Sequence, residues 1–381
     1  MNRLNILHLT TFLQGGAGRI LTDLALAQRS NDNGVYVLCS KTSEPGYCSY
    51  EEYIEKLQEN NIILFEEDSS FKRDLGLNLR FTSKVREIIN KYNIDLIHAH
   101  ASVPALTGLI ARSGFKKYIP VIQTMHGWGT NKKPEHEKMD VTIMNGLDQV
   151  ITVSQSDKQL LIEKRVQKER IKVIYNGITL EDNDDVDPFV EAELLEYKNK
   201  GYKIIGCIGT LCERKNQQLL LDAIKALRKE HNLFCVFIGE GDLLPKMQKQ
   251  IDQESLHQNV RLYGYKPMAS NYIKYFDVFV LPSTSEGFGL TIVEAFKEKT
   301  PVIASDIEVF KELITDGQEG FLFENKCLPS LMCVIKKVLS LPPREIDEIT
   351  SNGYMRFMQD FALDRMIEKY NQLYVSFVKN N

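Results

Sequence analysis

The sequence lacks the marks of several large classes of protein. It has no excess of positive charge: 47 lysines and arginines stand against 51 aspartates and glutamates, a formal net charge of −4. Nucleic acid, whose phosphates call for a basic face, is therefore not an expected partner. No apolar run reaches the roughly 20 residues that a membrane-spanning helix requires. The opening segment Leu4–Leu9 is short, broken by Asn5 and His8, and followed by a polar glycine turn, so it does not read as a signal peptide. The seven cysteines (39, 48, 207, 212, 235, 327 and 333) include no C-x2-C pair. Cys207-x4-Cys212 and Cys327-x5-Cys333 have poor metal spacing and no histidine nearby. The expectation is reduced, mostly buried thiols in a cytoplasmic protein. Short-period repeats and low-complexity tracts are absent too.

What is present is an ordinary globular composition, 43% hydrophobic and 26% charged over 381 residues, a length that suits two domains. Strands and helices alternate. In the first half, strands are expected at Leu4–Leu9, Val35–Cys39, Ile94–His98, Pro120–Met125 and Gln149–Val153. Helices are expected at Gly18–Arg29, Phe81–Tyr92 and Val103–Arg112. The second half repeats the plan, with strands at Lys203–Ile208, Phe234–Ile238, Val260–Leu262, Val278–Leu281 and Pro301–Ala304. Its helices fall at Gln217–Glu230, Leu244–Glu254, Ala269–Tyr275 and Thr291–Lys297. Such alternation predicts two α/β domains in series, each a doubly wound parallel sheet. The acidic run Glu181–Asp187, ending at Pro188, reads as a solvated linker rather than a metal-binding Asp-x-Asp pattern. It places the boundary at 181/182: an N-terminal domain over 1–181 and a C-terminal domain over 182–361. An amphipathic helix over Phe361–Tyr374 closes the chain.

The most informative stretch is Ser283-Thr-Ser-Glu-Gly-Phe-Gly-Leu-Thr-Ile-Val-Glu-Ala-Phe296, which follows the apolar strand Phe276–Pro282. A Gly-x-Gly turn between strand and helix presents free backbone N–H groups, an arrangement suited to phosphate. Glu286 lies at the turn and Glu294 eight positions on. At about 100° per residue that is a little over two helical turns, which returns Glu294 to the side of the helix start. A ligand with a central phosphate and hydroxyls at both ends, such as a nucleotide-sugar, fits between two such carboxylates.

In its setting EGFGLTIVEA, the pair Glu286-x7-Glu294 resembles the signature of the retaining GT4-family glycosyltransferases, which have the GT-B fold. The resemblance covers nearly the whole chain. It takes in Gly15–Gly18, a strand-end His126, Val173-Ile-Tyr-Asn-Gly-Ile178, Ile208-Gly-Thr-Leu-Cys-Glu-Arg-Lys-Asn216, Phe237-Ile-Gly-Glu-Gly-Asp242 and Leu262-Tyr-Gly-Tyr265. It implies two Rossmann-like domains facing each other across a cleft, with a C-terminal helix (362–381) crossing back onto the N-terminal domain. Glu294 would bind the two ribose hydroxyls, since a carboxylate offers two acceptors to a vicinal diol. Glu286 would face the transferred sugar, and Lys215 would meet the diphosphate, with Gly209, Gly287, Phe288, Gly289, Leu290 and Thr291 lining the donor. The base would lie against Tyr263–Lys266, Tyr265 included. Gly16, in the glycine turn, would let the N-terminal backbone approach the diphosphate, although tight-turn geometry alone would also explain that turn. His126, in Thr124-Met-His-Gly127, would hydrogen-bond the sugar near its reacting centre. The family has a basic residue directly after the first glycine of the second half, whereas Thr210 stands here. That leaves the charge to Lys215, or to Arg214 reaching in from the side. His98 and His100 read as structural or cleft-lining.

These readings make His126, Glu286 and Lys215 the candidate catalytic residues of a metal-independent transferase with no cofactor beyond its nucleotide-sugar substrate. The base, the sugar and the hydroxyl acceptor stay open. A sugar-nucleotide epimerase or a phosphorylase on the same fold, or a non-catalytic sugar-nucleotide-binding protein, are the alternatives; Glu294 speaks against a phosphorylase. Finally, Phe71–Phe81 mixes basic and apolar residues. It reads first as a core-facing helix start, and secondly as a peripheral contact with an anionic membrane at the cytoplasmic face.

Overall fold

The computed structural model describes residues 3–43, 48–69, 73–129, 132–181 and 185–378. The chain divides into two compact units, one formed by Met1–Gly177 with Leu363–Asn381 and the other by Ile178–Ala362. The division falls at Gly177, slightly ahead of the acidic run. Residues 182–184 of that run lie outside the described residues. Asp187 is no loose linker residue: its Oδ1 accepts the Phe189 N–H at 2.9 Å and caps the helix Pro188–Asn199.

The first unit is built on seven strands: β1 (Asn5–Leu9), β2 (Gly34–Cys39), β3 (Ile63–Glu66), β4 (Leu96–Ala99), β5 (Val121–Met125), β6 (Gln149–Thr152) and β7 (Ile171–Val173). All pairings are parallel, in the order β3-β2-β1-β4-β5-β6-β7. The second unit has six: β8 (Lys203–Ile208), β9 (Leu233–Ile238), β10 (Val260–Leu262), β11 (Val278–Leu281), β12 (Val302–Ser305) and β13 (Phe321–Phe323). Their order is β10-β9-β8-β11-β12-β13, again all parallel. The strand order of each sheet reverses beside its first strand, between β1 and β4 and between β8 and β11. Folds of this type bind ligands at the carboxyl ends of the strands flanking such a switch point.

The strands read as apolar runs because helices cover both faces of each sheet. Every residue of β9 and of β11 is buried. Phe237 of β9 belongs to a core shared with Leu220, Ile224 and Ile335; truncating such a side chain to alanine costs about 3–5 kcal/mol. The helix Leu363–Val378 belongs to the first unit. There the Tyr370 hydroxyl lies 2.9 Å from Thr124 Oγ1, and the Met366 sulfur accepts the Gly177 N–H at 3.2 Å.

Several expectations change. The glycine turn is the first turn of a helix, Gly15–Ser30. Gly18 is needed there because an added Cβ would sit 2.7 Å from the Leu13 carbonyl carbon. Ala269–Tyr275 is helical over the expected residues, in the tighter 3-10 form. Among the described residues of Phe71–Phe81, only Phe81 enters the core, while Leu75 is 72% exposed and Leu79 52%; Phe71 and Lys72 lie outside the described residues. The cysteines are free, but only Cys39, Cys207 and Cys235 are buried. No helix among the described residues is long and apolar enough to cross a membrane.

Candidate active site

In the second unit, two loops meet at the switch point. One leaves β8 at Gly209 and runs through a short 3-10 turn, Glu213–Lys215; the other leaves β11 and carries Ser283–Glu286. Their backbones are joined where the Thr284 N–H donates to the Arg214 carbonyl at 2.8 Å. Glu286 is the centre of the junction. Its Oε1 lies 2.5 Å from Lys215 Nζ and accepts the Ser283 hydroxyl at 2.8 Å, and its Oε2 accepts from Arg214 at 2.9 Å. Arg214 also donates to the Ser285 carbonyl at 3.0 Å. The side chains of Glu286, Lys215 and Arg214 are 9%, 13% and 41% exposed. Burial alone would push the Glu286 carboxyl up. The Lys215 and Arg214 charges, with hydrogen bonds from Lys215 and Ser283, outweigh it and hold the group below the usual range, as a carboxylate. One carboxylate shared by two cations leaves the cluster with a surplus positive charge.

Lys215 lies over Gly209, where an added Cβ would be 3.6 Å from its Nζ. Thr210 is exposed, and its carbonyl accepts the Gln217 side-chain amide at 2.9 Å. Arg214, the residue directly before Lys215 in the 3-10 turn, reaches the same carboxylate, so both of the expected cations meet there.

After Gly287 the chain enters the helix Leu290–Lys297, capped by Gly289. Gly289 has φ +107°, and an added Cβ would meet Phe310 at 2.9 Å, so only glycine fits this helix start without strain. The Leu290 and Thr291 N–H groups precede the helix's own carbonyl ladder, which begins where the Ile292 N–H donates to the Gly289 carbonyl at 2.9 Å. Phe288 turns inward, edge-on to Phe361 with ring centroids 5.6 Å apart, so that only its backbone is on offer. Glu294 is buried on the same helix. In the Tyr263–Lys266 stretch, the Tyr263 hydroxyl donates to Glu193 at 2.6 Å and Lys266 pairs with Asp187 at 2.5 Å. Those two side chains serve the second unit itself, whereas Tyr265 is exposed.

In the first unit, His126 follows β5 and joins a buried chain of imidazoles. Its Nε2 lies 3.1 Å from His100 Nδ1; His100 Nε2 lies 3.0 Å from His8 Nδ1; and His8 Nε2 lies 2.7 Å from Gln28 Oε1. His98 Nδ1 meets the Tyr374 hydroxyl at 2.6 Å, and its Nε2 meets Thr124 Oγ1 at 2.7 Å. Burial pushes His8 and His126 down to about 4 and His98 and His100 well below the usual range, so all four are neutral near pH 7. His8, His98 and His100 bring possible metal-ligand atoms within 4.8 Å of one another, yet both nitrogens of each ring already have hydrogen-bonding partners. Gly16 is exposed in the first turn of the Gly15–Ser30 helix.

Sequence reasoning did not single out Ser283, Gln28, Tyr370 or Tyr374. His8 registers only as a polar interruption in an apolar strand, and that interruption is the signal that could have marked it.

Comparison with known proteins bears on both units. The family described as Glycosyltransferase Family 4 matches residues 14–182, and that described as Glycosyl transferases group 1 matches residues 195–355. A UDP-Gal:alpha-D-GlcNAc-diphosphoundecaprenol alpha-1,3-galactosyltransferase of Escherichia coli is 26% identical over 77% of this chain and 78% of that protein. Among solved structures, a glycosyltransferase from Rickettsia africae superposes with a TM-score of 0.84 at 22% identity, covering 100% of both chains. Anabaena Alr3699/HepE, solved in complex with UDP-glucose, gives 0.82 at 22% identity, covering 98% of this chain and 100% of that one.

Proposed function

The chain belongs to the GT4-type glycosyltransferases of the GT-B fold, and from that premise we propose that it moves a sugar from a UDP- or GDP-type donor to an acceptor hydroxyl. Transfer proceeds with retention at the anomeric carbon, without a metal, in the biosynthesis of a glycan or glycoconjugate. The observation that carries this reading is the Lys215–Glu286–Arg214 cluster at the β8/β11 switch point, followed directly by the Gly289-capped helix.

The chemistry follows from charge. Breaking the glycosidic bond of the donor leaves negative charge on the departing diphosphate, and groups preorganised for that charge lower the barrier. Lys215, Arg214 and the first-turn N–H groups of the Leu290–Lys297 helix supply it. Glu286 neutralises part of the cluster while the site is empty; a diphosphate takes up Lys215 and Arg214 and leaves the Glu286 carboxylate to the sugar. Glu294 takes the ribose hydroxyls, and Gly209, Gly287 and the backbone of Phe288 and Gly289 let the phosphates approach. Tyr265 and neighbouring backbone groups face the base. For the first unit, the family resemblance is the basis for assigning His126 to the sugar and Gly16 to the diphosphate. The UDP-galactose named for the E. coli relative supports a UDP-type donor.

The exposed Leu75 and Leu79, one turn apart and followed by Arg80, support peripheral contact with an anionic membrane at the cytoplasmic face. The test of the function is incubation with a panel of UDP-, GDP- and ADP-sugars. Thermal shift identifies the donor by mass action, and NMR of the product's anomeric proton reads its stereochemistry. An α-linked product from an α-linked donor is expected; inversion overturns the retaining assignment.

A further inference from the structure

We propose that Gln28 and Tyr374 are positioning residues that fix the tautomer of His126 through a directional relay of hydrogen bonds, presenting its bare Nδ1 as an acceptor for a ligand hydroxyl. This rests on the sugar-contact reading of His126 only for the identity of that hydroxyl.

The direction is set at Gln28. Its amide nitrogen donates to the Tyr374 oxygen at 3.1 Å, which turns Oε1 toward His8 Nε2. An amide oxygen only accepts, so His8 carries its proton on Nε2. A neutral imidazole has one N–H, and His8 Nδ1 therefore accepts, from His100 Nε2. By the same rule His100 Nδ1 accepts, from His126 Nε2. The proton of His126 is thus on Nε2, and Nδ1 is left with a lone pair. Among the described residues that atom is buried from solvent and has no hydrogen-bond partner. A buried acceptor without a partner is destabilising, and the end of a relay is where an incoming hydroxyl would relieve it.

The other arm is consistent. Having accepted from Gln28, the Tyr374 hydroxyl donates to His98 Nδ1. His98 Nε2–H then donates to Thr124 Oγ1, which meets the Tyr370 hydroxyl. Thr124 lies on β5, two residues before His126. Reversing the Gln28 amide would reverse every bond and place the proton on His126 Nδ1, turning an acceptor into a donor. The helix Leu363–Val378 thereby sets the chemistry of a residue far away in sequence, as the orienting partner of a functional histidine commonly does.

The test is the imidazole 15N spectrum of the ligand-free full chain labelled at histidine, with His126 assigned from the spectrum of His126→Gln. Expected are a protonated Nε2 and a bare Nδ1. Gln28→Met, which can neither donate nor accept as the amide does, should give a mixture of His126 tautomers. Gln28→Glu, an acceptor only, should retain the wild-type pattern. In transfer assays, Gln28→Met and Tyr374→Phe should lower kcat about tenfold with the donor KM unchanged, the scale on which loss of an orienting partner acts. A wild-type His126 protonated on Nδ1, or a Gln28→Met spectrum identical to wild type, overturns the proposal. His126→Ala transferring at the wild-type rate would overturn the sugar-contact reading and leave the tautomer result standing.

Discussion

Replacing Lys215 with alanine separates the two things its ammonium does. In the ligand-free protein it neutralises Glu286 at 2.5 Å, in a place where the carboxylate is only 9% exposed. Breaking a fully buried pair costs about 3–5 kcal/mol. Here Arg214 and Ser283 continue to hold Glu286, so the expected loss of stability is nearer about 1–2 kcal/mol. During transfer the ammonium meets charge that grows on the diphosphate, and loss of one such contact lowers turnover on the order of 10²-fold. The double variant Lys215→Ala/Glu286→Gln tells the two apart. Removing the carboxylate's charge should restore most of the stability, measured by urea denaturation, while turnover stays low. Initial-rate kinetics at saturating donor should show the fall in kcat, because the contact strengthens toward the transition state. Near wild-type kcat in Lys215→Ala refutes the reasoning and hands the phosphate charge to Arg214 or to a metal. Removing His126 should instead slow transfer while leaving nucleoside diphosphate affinity nearly unchanged, by calorimetry.

Other consequences are open to simple assays. Activity should survive EDTA; a large loss restored by Mg²⁺ or Mn²⁺ would contradict metal independence. Stability of the first unit should fall with acid. Above pH 6.5 His8 is neutral folded and unfolded and contributes nothing, but between 6.5 and about 4 the unfolded chain takes the proton first, and by pH 4 about 3 kcal/mol is lost through His8 alone. Trp128, the only tryptophan, lies in that unit and reports its unfolding by fluorescence; a midpoint flat over that window contradicts the buried neutral imidazole. Gly289→Ala should destabilise the second unit by about 1–3 kcal/mol through positive φ and the Phe310 contact, seen as an earlier circular-dichroism transition. Leu75→Ser/Leu79→Ser should reduce sedimentation with vesicles containing anionic lipid and leave soluble donor hydrolysis intact; equal sedimentation removes the membrane contact.

How much of this was legible in the sequence depended on range. Long apolar strands such as Phe234–Ile238 and the helix-opening glycines at 287–289 are local signals, and local physics reads them. The strands β3, β7 and β13 have four, three and three residues, too short for any periodicity to show. Leu75 and Leu79 continue a helical apolar pattern, and only the packing around Phe81 reveals that they face outward. Lys215 and Glu286 are 71 positions apart, and nothing local couples them; they meet because β8 and β11 are neighbours in a sheet whose order the sequence does not state. The same holds for His8, His98, His100 and His126, which β1, β4 and β5 bring together side by side. Tyr374 is further still, joined to them by a helix whose apolar spacing predicts burial but not the hydroxyl's partner.

On the proposed function, the second unit binds a nucleoside diphosphate through Lys215 and Glu294. Titration calorimetry with UDP and with GDP, on the wild type and on Glu294→Ala and Lys215→Ala, tests it most directly. Expected is one-site binding of at least one of the two by the wild type, weakened markedly in Glu294→Ala with the fold unchanged by circular dichroism, and weakened further as salt is added because the phosphate contacts are ionic. Absence of binding by the wild type, or an affinity unchanged in both variants, would contradict it.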